Sequence, residues 1–309
     1  MDHIKCLSVH CLLIKNQDRT TIVISIIKEL ENRAQKHPEK LLYSFLDIKG
    51  RVKESYTYQE FLVRVISIAS HLYSTQALKP GDRALLVYPP GLEMICAFVA
   101  CIKLGAIPVP VYPPSSKGFR ASAGMMGFIA KNCNAAIVLT EHSYYWSFKV
   151  SIERNSDVSF SSVSNILSTM KWIVSDDIAT SDAGTVPQAH SDVLFLQYTS
   201  GSTSNPKGVM VTHENIVSNC RSIVDHEPVS VSWLPQYHDM GLIGYYLYPA
   251  LTSGTTYGFS PLDFIQRPSL WLETISTYSA TCSSAPNFAY EYCLRKGKIP
   301  EKTLKSLDL

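Results

Sequence analysis

The sequence has no C-x-x-C pair. Its eight cysteines stand at positions 6, 11, 96, 101, 133, 220, 282 and 293 of 309 residues, without the clustering of a disulfide scaffold or a zinc ribbon. They read as reduced thiols of a cytoplasmic protein. Charge is sparse as well: 17% of residues are charged and the formal net charge is +2, so no broad basic field exists to hold nucleic acid. The most apolar long stretch, 91–111, is interrupted by Glu93, Lys103 and Pro108, which argues for a buried helix–turn–strand and against a transmembrane span. The apolar start at 4–14 is broken by Lys5, Ser8 and His10 and lacks a cleavage site, so it does not read as a signal peptide. No G-x-S-x-G elbow and no G-x-G-x-x-G fingerprint occur, which disfavours a serine hydrolase and a nicotinamide enzyme.

What is present is a globular composition, 46% hydrophobic, and a repeated alternation of apolar strand with amphipathic helix. Ile22, Ile26 and Leu30 fall at helical spacing before Pro38, and 41–46 and about 52–56 read as strands. Thr57 and Glu60 form a capping box ahead of a helix whose inner stripe is Phe61, Val65, Ala69 and Leu72. From residue 83 onward strands at 83–88, 107–111, 136–140 and 171–174 alternate with helices, the pattern of a parallel sheet covered on both faces. The prolines of 107–111 place it at an edge or a strand end, and the serine-rich stretch 155–168 carries no assignment. The segment 179–191, rich in Ser, Asp and Gly, reads as a linker. The division expected is an irregular segment 1–20, a first α/β sub-lobe 21–185 and a second 186–309.

The second half is organised around Tyr198-Thr-Ser-Gly-Ser-Thr-Ser-Asn-Pro-Lys-Gly-Val209, a polar loop between two apolar strands. Hydroxyls, open backbone N–H groups and a lysine are what a phosphate requires. Linkers of Ser and Gly rarely end in Pro-Lys-Gly or sit so tightly between strands. It is not a P-loop: Pro206 stands where a glycine should precede the lysine, and Gly208 replaces the Ser/Thr magnesium ligand.

Two further constellations follow strand ends. In 233–244, His238 and Asp239 stand between a strand and a glycine-bearing apolar helix, where they can reach a pocket mouth. Neighbours in sequence seldom face each other, and a structural histidine explains the residues as well as a functional one. Gly241 and Gly244 read as sites of close packing or of a ligand's approach. In 283–290, small residues leading into an aromatic-bearing helix suit either an apolar tunnel or an ordinary strand-to-helix turn. The strands ending at 196, 233 and 283 should deliver their loops to one sheet edge, where doubly wound sheets bind ligands.

The 198–209 stretch closely resembles the phosphate-binding signature of the acyl-adenylate-forming, AMP-binding enzymes. Trp233-Leu-Pro-Gln-Tyr-His-Asp-Met-Gly-Leu-Ile-Gly244 resembles that superfamily's aromatic–histidine segment in its fatty-acyl-AMP ligase form. So do 86–93, 109–114 and Ser284-Ala-Pro-Asn-Phe-Ala-Tyr290. The resemblance implies the large N-terminal domain of those enzymes, with stacked, mostly parallel sheets flanked by helices. It implies activation of a fatty acid by ATP, with magnesium, to an acyl-adenylate and pyrophosphate. Transfer to an acyl carrier protein or a polyketide or peptide synthase follows in that branch. By resemblance, Thr199, Ser200, Gly201, Ser202, Thr203, Lys207 and Gly208 hold the phosphates, with Thr199 toward the metal. His238, Asp239, Met240 and Gly241, and Ser284, Ala285, Pro286 and Asn287, border the acyl site. Lys207 and His238 are the catalytic candidates. The family's adenine, ribose and magnesium-glutamate segments and its small lid domain have no counterpart in 1–309. The resemblance therefore implies a truncated N-terminal portion, inactive alone; a long-chain acyl-CoA ligase and a non-catalytic phosphate- or acyl-binding remnant are the alternative readings.

Overall fold

Alternating apolar strands and one-sided helices can bury their faces only by stacking in layers, and the computed structural model shows how this chain does so. It describes residues 26–155, 160–181, 186, 189–199, 206–223 and 227–296. Helix α1 (Ile26–Lys36) leads to β1 (Leu41–Leu46), β2 (Val52–Thr57) and the long α2 (Tyr58–Ser74). There follow β3 (Arg83–Leu86), α3 (Glu93–Lys103), β4 (Ile107–Pro110), α4 (Phe119–Asn132) and β5 (Ala135–Thr140). Next come α5 (His142–Arg154), α6 (Ser161–Thr169) and β6 (Lys171–Val174). Strands β7 (Val193–Thr199) and β8 (Lys207–Thr212) precede α7 (His213–Ile223) and β9 (Val229–Ser232). A continuous helical run comprises α8 (Asp239–Leu242), a π turn (Ile243–Leu247) and α9 (Tyr248–Leu251). Strand β10 (Thr255–Phe259) and helices α10 (Pro261–Gln266), α11 (Ser269–Thr277) and α12 (Asn287–Lys296) complete the described elements.

Among the described residues, one sheet runs β2-β1-β10-β9, with β2 antiparallel and the rest parallel. A second, β4-β3-β5-β6, is parallel throughout. Strands β7 and β8 form an antiparallel hairpin. Helix α2 starts as its sequence requires: Thr57 Oγ1 accepts the N–H of Glu60, and the Glu60 carboxylate accepts the N–H of Thr57. Phe61, Val65, Ala69 and Leu72 are fully buried. Helix α3, buried along its whole length, lies in the larger core with α1 and α2, which explains the apolar stretch at 91–111 without a membrane.

The sheets do not follow the expected boundary between 185 and 186. Strand β1 pairs in parallel with β10, Tyr43 opposite Thr256, so one sheet takes strands from both expected sub-lobes. The serine-rich stretch contains α6, because Leu167, with Val163 and Ile166 beside it, packs into the second core with Phe119, Phe148 and Phe160. Where a strand is expected at 280–284, a lone bridge joins Ser230 to Cys282. The terminal position of β4 in its sheet is as its prolines require.

Candidate active site

The hairpin sets the first wall. Its ladder ends with Thr199 directly opposite Lys207, both exposed, at the open end of the loop. Ser200, Gly201, Ser202 and Thr203 lie outside the described residues. Gly208 pairs with Tyr198, and a Cβ on Gly208 would come within 2.9 Å of Tyr198 Cζ. The tyrosine ring thus lies across the glycine, and a side chain there would push the ring aside. The Tyr198 hydroxyl donates to Asn132 Oδ1 at the end of α4, which ties the loop end of the hairpin to the second sheet's helical layer.

Alternation along β7 puts Gln197 on the same face as Thr199. Gln197 Nε2 donates to the Tyr237 carbonyl at 3.1 Å, so the hairpin holds the turn that carries His238. Gln197 Oε1 is buried without a partner among the described residues. The same turn is clasped from the other side: Gly91 N–H donates to Gln236 Oε1 at 3.0 Å, and Gln236 Nε2 returns to Gly91 O at 2.8 Å. Tyr112, in the loop after β4, meets the Tyr237 ring edge to face at 5.4 Å.

His238 caps α8 in extended conformation and Asp239 is its first residue. Contrary to the expectation for neighbours in sequence, the two face each other: His238 Nδ1 lies 2.6 Å from Asp239 Oδ1. The switch from extended backbone (ψ 143°) to helix at this junction swings the adjacent side chains together. The close contact with Asp239 holds the imidazole above its usual range, partly offset by burial. The same contact holds the carboxyl below its own. Both side chains are well exposed, 65% and 42%. Met240 is half-buried. Gly241 is buried, and a Cβ there would meet the Pro235 carbonyl oxygen at 2.2 Å, so helix α8 can pass this turn only with glycine. Nothing lies within 4 Å of a Cβ built on Gly244, one residue into the π turn.

The third segment joins through the helix. Tyr245, in the π turn, bonds Ser284 Oγ at 2.6 Å. Ser283 Oγ donates to Val231 O at 2.7 Å and accepts Trp271 Nε1 at 2.8 Å, which locks 283–284 beside β9. Ala285 follows, and Pro286 accepts the Ala289 N–H at 2.9 Å where α12 starts at Asn287. Trp233 stacks on Phe264 at 3.9 Å, its indole nitrogen buried without a partner among the described residues. The three loops expected at one edge are therefore linked by hydrogen bonds. The linking residues Gln197, Gln236, Tyr245 and Asn132 carry no local signal, since each reaches a partner far along the chain.

The α/β fold thus sets a hairpin mouth with Thr199 and Lys207 beside an aromatic–histidine turn. Residues 30–309 match the family of AMP-binding enzymes, and the chain belongs to that family. It is 36% identical to the medium-chain-fatty-acid–[acyl-carrier-protein] ligase JamA of Moorena producens, over 92% of this chain and 48% of that protein. It is 30% identical to the long-chain-fatty-acid–AMP ligase FadD26 of Mycobacterium marinum, over 92% of this chain and 49% of that one. Among solved structures it resembles a Legionella pneumophila fatty acyl-adenylate ligase in complex with acyl adenylate and pyrophosphate. That match has a TM-score of 0.74 and 34% identity, over 92% of this chain and 48% of the other. The chain thus spans about half the length of the relatives it matches. No helix among the described residues is long and apolar enough to cross a membrane.

Proposed function

We propose that this chain supplies the triphosphate grip and part of the acyl-site wall of a fatty-acyl-AMP ligase. The observation that carries the reading is the Gln197–Tyr237 hydrogen bond, which joins the hairpin bearing Thr199 and Lys207 to the turn bearing His238. In the reaction, a fatty carboxylate oxygen attacks the α-phosphorus of ATP. The bond from that phosphorus to the bridging oxygen breaks, and pyrophosphate leaves with the electron pair. The protein's share is positioning and charge neutralisation. Lys207, with Thr199 and the hydroxyls of 200–203, holds the β- and γ-phosphates as charge grows on the leaving pyrophosphate. Met240, Gly241 and Ser284 to Asn287 border the acyl chain, and His238 faces its carboxylate.

No group of three or more His, Cys, Asp or Glu residues able to hold a metal occurs among the described residues. A Thr199 hydroxyl suits magnesium carried on phosphate oxygens, as magnesium is usually bound. When bound, magnesium supplies charge neutralisation on the phosphates. The acceptor is read as a carrier-protein thiol, supported by relatives whose names carry that acceptor. A reducing, cytoplasmic location belongs to the same reading, supported by the described cysteines being free thiols.

The test is fatty-acid-dependent ATP–pyrophosphate exchange, with this chain alone and with it extended by its downstream coding sequence. The expected outcome is exchange by the extended protein only, lost in Lys207→Ala. Turnover to acyl-CoA with CoA in place of a carrier protein would assign the other acceptor. Exchange in Lys207→Ala equal to the parent would overturn the grip.

A further inference from the structure

The helical run from Asp239 to Leu251 changes its winding halfway. The Tyr248 N–H bonds the Ile243 carbonyl, five residues back instead of four, which makes Ile243–Leu247 a π turn. Pro249 supplies the reason. It has no N–H to give the Tyr245 carbonyl four residues before it, and in a regular α-helix its ring would crowd that carbonyl. Widening the turn relieves the crowding and leaves carbonyls for partners outside the helix.

The sheet provides those partners. Thr256 Oγ1 donates to Tyr245 O at 2.5 Å, and the Tyr43 hydroxyl donates to Tyr246 O at 2.5 Å. Tyr43 and Thr256 are register partners in β1 and β10, so both hydroxyls stand side by side on one face of the sheet. Both residues are buried. A Cβ on Gly258, the next position of β10 on that face, would meet the Tyr246 hydroxyl oxygen at 2.4 Å. The sheet face is thus shaped to the π turn. Tyr245 is buried as well, and its hydroxyl lies 2.6 Å from Ser284 Oγ and 3.3 Å from the Ser284 carbonyl oxygen.

We propose that Thr256 and Tyr43 are positioning residues for the fatty chain: their paired hydroxyls hold the π turn, and the π turn holds Tyr245 against Ser284 as one wall of the acyl site. The proposal rests on the reading of 284–287 as bordering the acyl chain. Both residues act through Tyr245 and not by touching the ligand. A buried carbonyl deprived of its donor is costly, so removing either hydroxyl makes the turn rearrange, and Tyr245 moves with it.

The experiment follows the Tyr245 ring by nuclear magnetic resonance in the 309-residue chain with 13C-labelled tyrosine, its signal identified by its loss in Tyr245→Phe. The signal should move in Ser284→Ala, which removes the hydroxyl beside it. It should also move in Thr256→Val and in Tyr43→Phe, each of which removes one hydroxyl and keeps the side chain's shape. Thr256→Ser, which keeps the hydroxyl, should leave it in place. The signal of Tyr144, packed against the second core, reports whether the fold is intact. The companion measurement is calorimetric binding of dodecanoate. Thr256→Val should weaken it about five- to tenfold, the scale of one lost hydrogen bond. Combined with Tyr245→Phe it should weaken binding no further than Tyr245→Phe alone, because one residue acts through the other. An unmoved Tyr245 signal in Thr256→Val, or losses of affinity that add, would overturn the proposal. A moved signal with dodecanoate binding absent or unchanged supports the positioning of Tyr245 and removes the acyl-site reading beneath it.

Discussion

The Tyr198 ring lies across the backbone of Gly208, its partner in the β7–β8 ladder, one step from the Thr199–Lys207 pair. Gly208→Ala would place a Cβ 2.9 Å from Cζ and 3.1 Å from the hydroxyl oxygen, so the ring must swing off its Asn132 anchor. The expected cost is about 1–2 kcal/mol, the scale of local overpacking. In a Tyr198→Ala background the same change should cost almost nothing. Chemical denaturation of the four chains of the cycle reads the coupling directly, and additive effects would show that ring and glycine are independent.

Gly241 and Gly244 should behave oppositely. At Gly241 a Cβ meets the Pro235 carbonyl oxygen at 2.2 Å, a backbone atom that cannot rotate away. Gly241→Ala should therefore cost about 3 kcal/mol or more and disturb the His238 turn. Gly244→Ala meets nothing within 4 Å, and its better helix propensity should leave stability unchanged or raise it by up to about 1 kcal/mol. Thermal unfolding of the two variants checks the contrast. Loss of dodecanoate binding in a stable Gly244→Ala would place that open space on the acyl path.

Arg64 and Glu93 form a buried ion pair between α2 and α3, with Oε1 2.6 Å from Nη2, and the guanidinium also donates to Ser175 O and Ile178 O. Arg64→Ala strands a buried carboxylate and two carbonyls, and should cost about 3–5 kcal/mol. Replacing both charges, Arg64→Met with Glu93→Leu, should recover part of the loss. Full-cost destabilisation in the double variant would assign the effect to the carbonyl anchoring of 175–178 instead. Equilibrium unfolding distinguishes these outcomes.

Acid should weaken the fold at His213. Its ring is buried and stacks on His190 at 5.5 Å. Burial, then the neighbouring His190, hold it below the ordinary histidine range. The unfolded chain therefore binds that proton more readily than the folded one. Stability contributed by the neutral ring is intact above about pH 6.5 and falls as pH drops from there toward the lower folded value. His213→Gln should flatten this part of the stability–pH curve while leaving the neutral-pH value within about 1 kcal/mol. An unchanged slope would move the acid sensitivity elsewhere.

Local pattern carried much of the architecture. The Thr57–Glu60 capping box and the stripe from Phe61 to Leu72 specify α2 completely, because capping and helical periodicity are properties of neighbouring residues. The polar run between two apolar strands likewise predicts the hairpin mouth, and the wording of five segments pointed to the family that residues 30–309 match. Helix α6 was hidden, since a stretch rich in serine has weak local preference until Leu167 finds the second core.

What the sequence determined by itself is therefore the order and kind of most elements, and the residue types gathered at the phosphate loop. Tertiary structure alone decided which strands pair and which side chains meet. Strand β1 joins β10 because parallel partners are chosen by burying two whole faces at once, a condition no window of sequence contains. The facing of His238 and Asp239 comes from one change of backbone conformation at a helix start. The Gln197–Tyr237 bond that unites hairpin and histidine turn joins the end of β7 to the turn after β9, strands of different sheets that only packing brings together.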